Sequence, residues 1–566
     1  MTNKKVHHQK VKPQTVSGNK DASTPKKPSW LRTLWLRKMH QVPYWISFIL
    51  LFFFTYFTYS DVFVRAVQAS YVCSEPGTMD FLTQQDFGAL YLISRYALLI
   101  FHSPVWGSLI FSIVLTLIAV LLDRAFRVPL WLRGVFTVVP FGLLFYFAQQ
   151  GIGLYYKSEP SLFMLHTLGI FLIALVLALV LPRLLKRKHN SEAGETKGWR
   201  MIPFGLLATF LSYGAVEGYS HTVDCENTRL TARMQNQIAN NNLTLLTVEG
   251  LKAKQPSRSV AAYYALGLLH NEQILEHLFD ISFHFPKVTI PQNDGTGEYG
   301  IFTSDCNFYS GLINASYRAA MDHIVMDGPN LYSLKRMALC AILKENKELA
   351  NKYLTIIGKV PFEKDFVEEY RPYVDNPDLI RQNYTFNQLL KLSPIEHRFE
   401  QNYRSPVFLG YYTGILQGSN EALPPSMAAC LYSKDLPNLA ERALQLKQMN
   451  YPMPLSVMEA LSIFGRKNPE IFNYFPELAD TQRQITHPAT ANVNSFFLAI
   501  QQYFQEKYKG ADDWRSRMSK ELTHGISDEL RAHLSPNWLG HYVYYYYCEN
   551  VVMKNEKQKS KESSVN

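Results

Sequence analysis

The chain has 566 residues and a formal charge of +10, so it is too long for one ordinary domain and clearly basic. Basic side chains recur through the first 40 residues, where Asp21 is the only acid. Nucleic-acid-binding proteins instead interleave basic and aromatic residues on a folded face, and this sequence has no such pattern. We therefore expect no nucleic-acid partner.

Residues 1–43 form a basic tail. Its first 30 residues have no apolar period and are predicted to be disordered. Residues 30–37 mix Trp, Leu and Arg, which suits a short helix in the headgroup zone of a membrane. At the other end of the chain, residues 551–566 are a charged run that we also expect to be disordered.

Long apolar runs between residues 44 and 218 predict a membrane domain, since one crossing needs about 20 apolar residues. Residues 87–101 are short for a crossing and carry Arg95, which is costly inside a bilayer, so they are predicted to form a re-entrant or interfacial helix. Residues 61–86 are predicted to be a loop. The five predicted crossings are residues 44–60, 106–122, 134–149, 161–181 and 201–218.

The distribution of basic residues predicts the orientation of these crossings. Basic loops stay in the cytoplasm, and both the loop with Arg124, Arg127 and Arg133 and the loop at residues 183–200 are basic. The N-terminus is then cytoplasmic and everything after residue 218 is outside, as in a bacterial inner-membrane protein with a periplasmic domain. Six crossings with a cytoplasmic C-terminus remain the alternative, which places one basic loop on the wrong side.

Residues 219–550 have globular composition and apolar residues at helical spacing, which predicts a soluble helical domain. Two stretches repeat a pattern of small residues that allows antiparallel helices to approach closely, followed by a proline. The first has its turn at residues 346–348 and the second at 434–435. The residues that carry the pattern are Ala338, Ala350 and Pro361 in the first stretch and Ala428, Ala440 and Pro452 in the second.

This pattern resembles a degenerate tetratricopeptide array, although Leu334 and Pro424 stand where the repeat has an aromatic residue. A generic α-solenoid is the alternative. The predicted fold is thus all-α, with a multi-span membrane domain followed by a soluble array of tetratricopeptide-like helical hairpins.

The complete layout also resembles uncharacterised multi-pass bacterial envelope proteins whose helical domain ends in a Tyr-rich segment, here residues 537–547. That resemblance implies location and architecture but no activity. The tyrosine rings of such a run can stack on sugars, or they can pack the last helix against the array.

The chain has six cysteines and no C-x-x-C motif, so zinc and thioredoxin-type sites have no support. Cys340 and Cys430 lie in apolar helical runs and are predicted to be core residues. Cys225 and Cys306 each follow an aspartate in polar surroundings, and in an extracytoplasmic domain they are candidates for a disulfide. Cys73 is a competing partner.

Residues 285–305 are predicted to form a long loop inside the helical domain. Asp294 and Glu298 are candidate Ca²⁺ ligands, but the loop lacks the alternating acids and terminal glutamate of a known calcium loop. A flexible insertion accounts for the same residues, so we expect no metal and no cofactor.

Acidic and basic residues near the predicted outer membrane face are the only candidates for catalysis. Similar groups occur in membrane glycosyltransferases and ligases that act on lipid-linked sugars, but the first loop has no paired-acid motif. The acids also fit a simpler explanation, because loops outside the cytoplasm are not basic, and Arg95 is able to pair with Asp86. The candidates are Asp61, Asp86, Arg95, Glu217 and His221.

No P-loop, dinucleotide fingerprint, nucleophile elbow or H-E-x-x-H motif assigns a reaction. We therefore expect a multi-pass envelope protein, embedded in the lipid bilayer, whose helical domain binds or scaffolds a protein, glycan or other polymer. A membrane enzyme of glycan or lipid chemistry, with its site on the outer face, is the alternative.

Overall fold

A computed structural model describes residues 41–73, 75–84, 87–129, 132–152, 159–184, 203–285, 298–393, 420–479, 487–509 and 513–549. The regular elements in these ranges are helices, and no strand occurs within them. The all-α prediction is therefore confirmed for this part of the chain. The predicted tails at residues 1–40 and 551–566 lie outside the described residues.

The first helices of the described chain are mostly apolar. Helices α5 and α7 are each long and apolar enough to cross a membrane, and α1 with α2 forms a third such unit if the pair, bent by 66°, is counted as one. The bounds are α1 (Val42–Phe53), α2 (Ser60–Ala69), α3 (Pro76–Thr83), α4 (Gly88–Leu98), α5 (Pro104–Ala125), α6 (Val138–Gln150), α7 (Leu162–Leu184) and α8 (Pro203–Ser220).

The bend between α1 and α2 follows a π-helical turn at Phe54–Thr58. The prediction of a loop at residues 61–86 is wrong for the stretches that form α2 and α3. The acids in this segment suggested a loop, whereas Val62, Phe63 and Ala66 fall on one side of α2 and are buried. Burial of that apolar face stabilises α2 as a helix.

The apolar helices meet at two ends. At the first end, the Tyr44 hydroxyl and the Gly134 N–H both donate hydrogen bonds to the Asp123 carboxylate. Gly205 of α8 packs there against the turn before α6, where a Cβ on Gly205 would clash with the carbonyl oxygen of Arg133. This end therefore gathers the start of α1, the end of α5 and the start of α8.

At the second end, the Ser94 and Ser161 hydroxyls are 2.7 Å apart. The ring of Phe63 stacks on Phe101 at 4.5 Å and contacts Phe163 at 5.5 Å. Helices α1 and α5 to α8 run between the two ends, and α4 stays at the second one. We call α1 and α4–α8 the apolar bundle.

The apolar bundle has hydroxyl groups between its helices and apolar side chains outside. The hydroxyls of Thr137 and Thr209 are 2.8 Å apart, and Thr55 lies 3.3 Å from Ser112. Such small polar residues allow helices to approach closely. Large apolar side chains on the outer surface of the bundle include Trp45, Phe53, Phe57, Leu172, Ile173, Val176 and Leu211.

The helices that follow α8 form what we call the helical array, with a continuous apolar core. Its α-helices are α9 (Val223–Ala239), α10 (Leu245–Gly250), α11 (Arg258–His270), α12 (Ile274–His277), α13 (Glu298–Tyr309), α14 (Ile313–Asp327), α15 (Leu331–Leu343), α16 (Lys347–Ile357), α17 (Lys364–Asp375), α18 (Asp378–Gln382), α19 (Tyr384–Leu392), α20 (Leu423–Ser433), α21 (Leu436–Gln448), α22 (Leu455–Gly465), α23 (Pro488–Lys507), α24 (Trp514–His524), α25 (Asp528–Trp538) and α26 (Tyr542–Cys548).

Both stretches with the small-residue pattern are pairs of packed helices, α15 with α16 and α20 with α21. The small residues Ala338, Ala350 and Ala428 are fully buried where the helices meet. The first turn lies slightly earlier than predicted, because Asn346 caps α16 by accepting a hydrogen bond from the N–H of Leu349. The second turn is at Lys434 and Asp435, as predicted.

The Tyr-rich segment packs α26 into the array. Tyr542, Tyr544 and Tyr545 are buried, and the Tyr545 hydroxyl donates to the carbonyl oxygen of Tyr432. Just beyond α26, the Glu549 carboxylate accepts a hydrogen bond of 2.6 Å from the Ser282 hydroxyl. Of the two interpretations of this run, the structure supports packing for the three buried rings.

Candidate functional site

Helix α2 leaves the apolar bundle and packs against the array helices α9 and α15, so its polar face forms a junction between the two regions. Asp61, at its start, accepts hydrogen bonds from Arg233 at 3.1 Å and from Asn236 at 2.9 Å, both on α9. Just after α2, the N–H of Leu331 donates to the carbonyl oxygen of Ser70 at 3.1 Å. These contacts fix the array onto the end of the bundle.

Arg65 lies in the middle of this junction and is only 1% exposed. Its guanidinium is stacked over the ring of Tyr332 on α15, 3.7 Å from the ring centroid. A cation held over an aromatic face is attracted by the ring quadrupole, more strongly when water is excluded. The Nε and Nη2 atoms of Arg65 have no hydrogen-bond partner among the described residues.

Tyr332 connects Arg65 to a buried acid, Asp305 of α13. The Asp305 carboxylate, which is 0% exposed, accepts hydrogen bonds from the hydroxyls of Tyr332 and Tyr263 and from Nη2 of Arg336. The distances to Tyr263 and Arg336 are both 2.7 Å. Phenol and guanidinium donors together replace the water that a buried carboxylate loses.

The electrostatics of this network keep the two phenols neutral. Burial raises the pKa of Tyr263 and of Tyr332 well above the usual range, and the Asp305 carboxylate acts in the same direction. Burial also raises the pKa of the Cys306 thiol next to the acid. The phenols therefore act as hydrogen-bond donors, and the thiol stays protonated instead of becoming a nucleophile.

A second pair of titratable groups lies beside Arg65. Burial and, to a smaller extent, the nearby Arg65 charge together lower the pKa of His323 to about 4. Burial raises the pKa of Asp327, whose carboxylate is 3.2 Å from the His323 ring, to about 6. Asn330, which caps α15, donates a hydrogen bond to the same ring at 2.8 Å.

The junction leaves little space for a substrate. A cavity between Arg95, His102 and Glu363 measures about 10 Å³, which is about the volume that a single water requires. All the Asp305 partners are protein groups that enclose its carboxylate. The arrangement can hold two helical regions in a fixed geometry, and this cavity is too small for a glycan or lipid substrate.

The structure gives the predicted catalytic candidates different partners. Arg95 forms an ion pair with Glu159, Asp61 is bound by Arg233, and Glu217 lies 3.4 Å from His221 one helical turn away. His221 is largely exposed, and Asp86 lies outside the described residues.

The predicted disulfide between Cys225 and Cys306 does not form in the structure. Cys225 and Cys306 are both free and buried, the first in the core of the apolar bundle and the second in the core of the array. The disulfide was predicted because polar residues surround each cysteine in the sequence. Both cysteines instead belong to helices, α9 and α13, that bury them in separate places.

The structure describes the candidate Ca²⁺ ligands only in part. Asp294 lies outside the described residues, and Glu298 begins α13, with its side chain not described. Residues 298–305 are therefore helical, which shortens the predicted loop. Within the described ranges, no group of three or more His, Cys, Asp or Glu side chains is placed to hold a metal ion.

Sequence reasoning missed Arg65, Tyr263, Asp305, Tyr332 and Arg336. One signal was present, because Arg336 lies inside the otherwise apolar run of α15 and a buried charge needs a partner. The identity of that partner was not readable, since Asp305 is 31 residues away on another helix.

The described chain is thus a helical protein in which an apolar bundle is joined through a charged, buried junction to a larger helical array. The model of a family of unknown function (DUF6057) matches residues 128–549, and the chain belongs to this family. The match includes the last three helices of the apolar bundle together with the described array. No curated protein and no solved structure matches the chain.

Proposed function

We propose that this protein is a multi-pass membrane protein of the bacterial envelope, which presents a tetratricopeptide-like helical array outside the cytoplasm to bind or scaffold a protein or glycan partner. The five crossings correspond to α1, α5, α6, α7 and α8, and α4 is the interfacial or re-entrant helix. The inner membrane is the expected location.

The observation that carries the proposal is the apolar outer surface of the apolar bundle, which exposes large hydrophobic side chains and buries hydroxyl groups. Ile173, in the middle of α7, is 61% exposed, while the hydroxyls of Thr167 and Ser108 are buried. Water disfavours such an apolar surface, and a hydrocarbon environment favours it, since these hydroxyl groups, which need hydrogen-bond partners, are inside.

The charges at the two ends of the bundle support the orientation. Arg124, Arg127 and Arg133 lie at the first end, together with the start of α1. The second end adjoins the array through α2. Basic residues favour the cytoplasmic side, so the array belongs on the opposite side.

The junction supports a scaffold more than an enzyme. Asp61 and Arg95, the leading candidates for catalysis, are each neutralised by a protein partner, and the adjacent cavity holds about one water. A rigid connection between membrane and array is useful to a protein that holds a partner at a defined distance from the bilayer.

Alkaline carbonate extraction and in-cell photo-crosslinking test this proposal. The full chain is expected to remain in the membrane pellet. A photo-crosslinking residue at Val325, Tyr384 or Tyr451, which are exposed on the array, is expected to give an adduct of discrete mass.

The matched control places the same crosslinker at Leu172 or Val176, exposed on α7, where only lipid adducts are expected. Release of the chain by carbonate contradicts membrane anchoring. Failure of every exposed array position to give a protein or glycan adduct contradicts the binding role.

A further inference from the structure

A groove opens between α1 and α5 at the first end of the apolar bundle, away from the junction. Its volume is roughly 1320 Å³, above the 300–1,000 Å³ that is typical of small-molecule pockets. The groove is thus large enough for a ligand with a long apolar part.

The walls of the groove are apolar along its length. Trp45 and Phe48 of α1 face Ile113, Leu117 and Val120 of α5 across it. Trp45 is largely exposed at the end of the span, where amphipathic rings of tryptophan sit at the level of lipid head groups. These walls match hydrocarbon chains.

The rim of the groove is basic. Arg124, Arg127 and Arg133 line it, with Asp123 as the only acid among the lining residues, so the rim has a net charge of +2 from three positive charges and one negative charge. The acid is already engaged by Tyr44 and Gly134. Arg127 uses one nitrogen to donate to the carbonyl oxygen of Pro182, and a guanidinium has five N–H donors.

Charge complementarity decides between the occupants of this groove. The segment that precedes α1 contains Arg32, Arg37 and Lys38, so the like charges of the rim disfavour it. A lipid without net charge fits the walls but leaves the positive charge of the rim unbalanced. A phosphate oxygen fits their fork of donors, and acyl chains fit the walls below.

We propose that the groove binds a membrane lipid with an anionic phosphate head group. The phosphate is held by Arg124, Arg127 and Arg133, and the acyl chains lie along Leu117 and Phe48. The inference rests on the proposed membrane embedding and does not depend on which side of the membrane the array occupies.

Native mass spectrometry of the detergent-purified full chain, with added phosphatidylglycerol or phosphatidylcholine, tests this site. We expect one phosphatidylglycerol to be retained in preference to phosphatidylcholine. Joint replacement of Arg124, Arg127 and Arg133 by Gln is expected to weaken phosphatidylglycerol retention by about tenfold or more, given the attraction of each basic side chain for anionic lipid.

The charge control is a triple variant, Arg318→Gln with Lys352→Gln and Arg371→Gln, which removes the same number of exposed charges from the array. Its retention of lipid is expected to equal that of the unmodified chain. The apolar walls are tested by Leu117→Trp, which fills the groove, against Ile110→Trp, an equally exposed position of α5 outside the groove. Only Leu117→Trp is expected to reduce lipid retention.

Three results would overturn the lipid site: equal retention of both lipids, unchanged retention in the groove variants, or displacement of the lipid by inorganic phosphate alone. The last result assigns the arginines to free phosphate. If the chain resists carbonate extraction and still gives one of these results, only the lipid site fails and the membrane proposal stands.

Discussion

The apolar bundle and the helical array both bury an apolar core, and they differ in the side chains of their outer surfaces. In the bundle, hydroxyl pairs such as Thr137 and Thr209 lie between helices, and Ile173 is outside. In the array, the interior is a continuous apolar core, and a fully buried acid, Asp305, is surrounded by donors. Under the proposed membrane embedding, the bundle surface faces lipid and the array surface faces water.

This difference determines which interactions stabilise each region in its proposed environment. A helix bundle in lipid gains little from burying apolar side chains, because the lipid is equally apolar, so close packing and interhelical hydrogen bonds hold it together. A domain in water is driven by apolar burial and pays heavily for an unpaired buried charge. Variants that remove a buried charge, or place a charge on the outer surface, should therefore affect the stability of the two regions differently.

The largest expected effect comes from the buried acid of the array. Asp305→Asn removes the charge that balances Arg336, and breaking a buried pair in this way costs about 3–5 kcal/mol. All six cysteines are buried, so a thiol-reactive dye reports unfolding of the full chain in detergent. The variant should label at a clearly lower temperature.

The control for that variant is Asp322→Asn, which removes an exposed partner of Arg318 on the same array. Exposed ion pairs contribute about 0–1 kcal/mol, so its unfolding should match that of the unmodified chain. Equal effects of the two substitutions would show that the Asp305 network is not the buried support described here.

A charge placed on the outer surface should distinguish the two regions directly. Ile173→Arg, at the centre of α7, is expected to cost about 3 kcal/mol in a bilayer. Leu498→Arg, on α23 of the array, has a similar starting exposure, 56% against 61%, and should change stability by about 0.5 kcal/mol or less because its surface meets water.

The yield of membrane-inserted protein and its dye-reported unfolding in lipid nanodiscs measure both variants. A well-tolerated Ile173→Arg, with normal insertion, would contradict the assignment of the outer bundle surface to lipid.

The predictable parts of the fold were those with short-range signals. Ala338 and Ala350 lie close together in the sequence, so their pattern was enough to predict a helical pair. Helix α2 was missed because Asp61 and Arg65 suggested a loop, although both charges are engaged by the array. The candidate site could not be predicted, because its contacts join helices that are distant in sequence and none of them forms a known motif.

The acid dependence of the junction follows from His323 and Asp327. Because the folded pKa of His323 is about 4, below the unfolded value of about 6.5, its contribution to stability is lost as the pH falls from 6.5 towards 4. Asp327, with a folded pKa of about 6 above its unfolded value of about 3.9, is stabilising at low pH and loses that contribution as the pH rises through this range.

The two residues therefore oppose each other, and single variants should separate them. Relative to the unmodified chain, His323→Asn should gain stability on acidification from pH 6.5 to 4, and Asp327→Asn should lose it, each by on the order of 2 kcal/mol. Dye-reported melting temperatures across this pH range measure both changes. Parallel profiles for all three proteins would show that neither group is buried in the folded state.

The smallest expected effect is at the rim of the junction. Asp61→Asn keeps the hydrogen bond from Asn236 and weakens the partly exposed ion pair with Arg233, so the expected cost is about 1 kcal/mol or less. Partner crosslinking from Val325 in cells should persist at a normal expression level. A complete loss of function with normal folding would instead favour the membrane-enzyme alternative, with Asp61 in the reaction.

Side-specific cysteine labelling tests the central claim most directly. The native cysteines are buried, so a single new cysteine at Val325, which is 76% exposed on the array, or at Arg127, on the basic rim, carries the signal. In intact spheroplasts, a membrane-impermeant maleimide should label Val325→Cys at once and Arg127→Cys only after permeabilisation. Labelling of Arg127→Cys from outside, with Val325→Cys protected, would contradict an array held outside the cytoplasm.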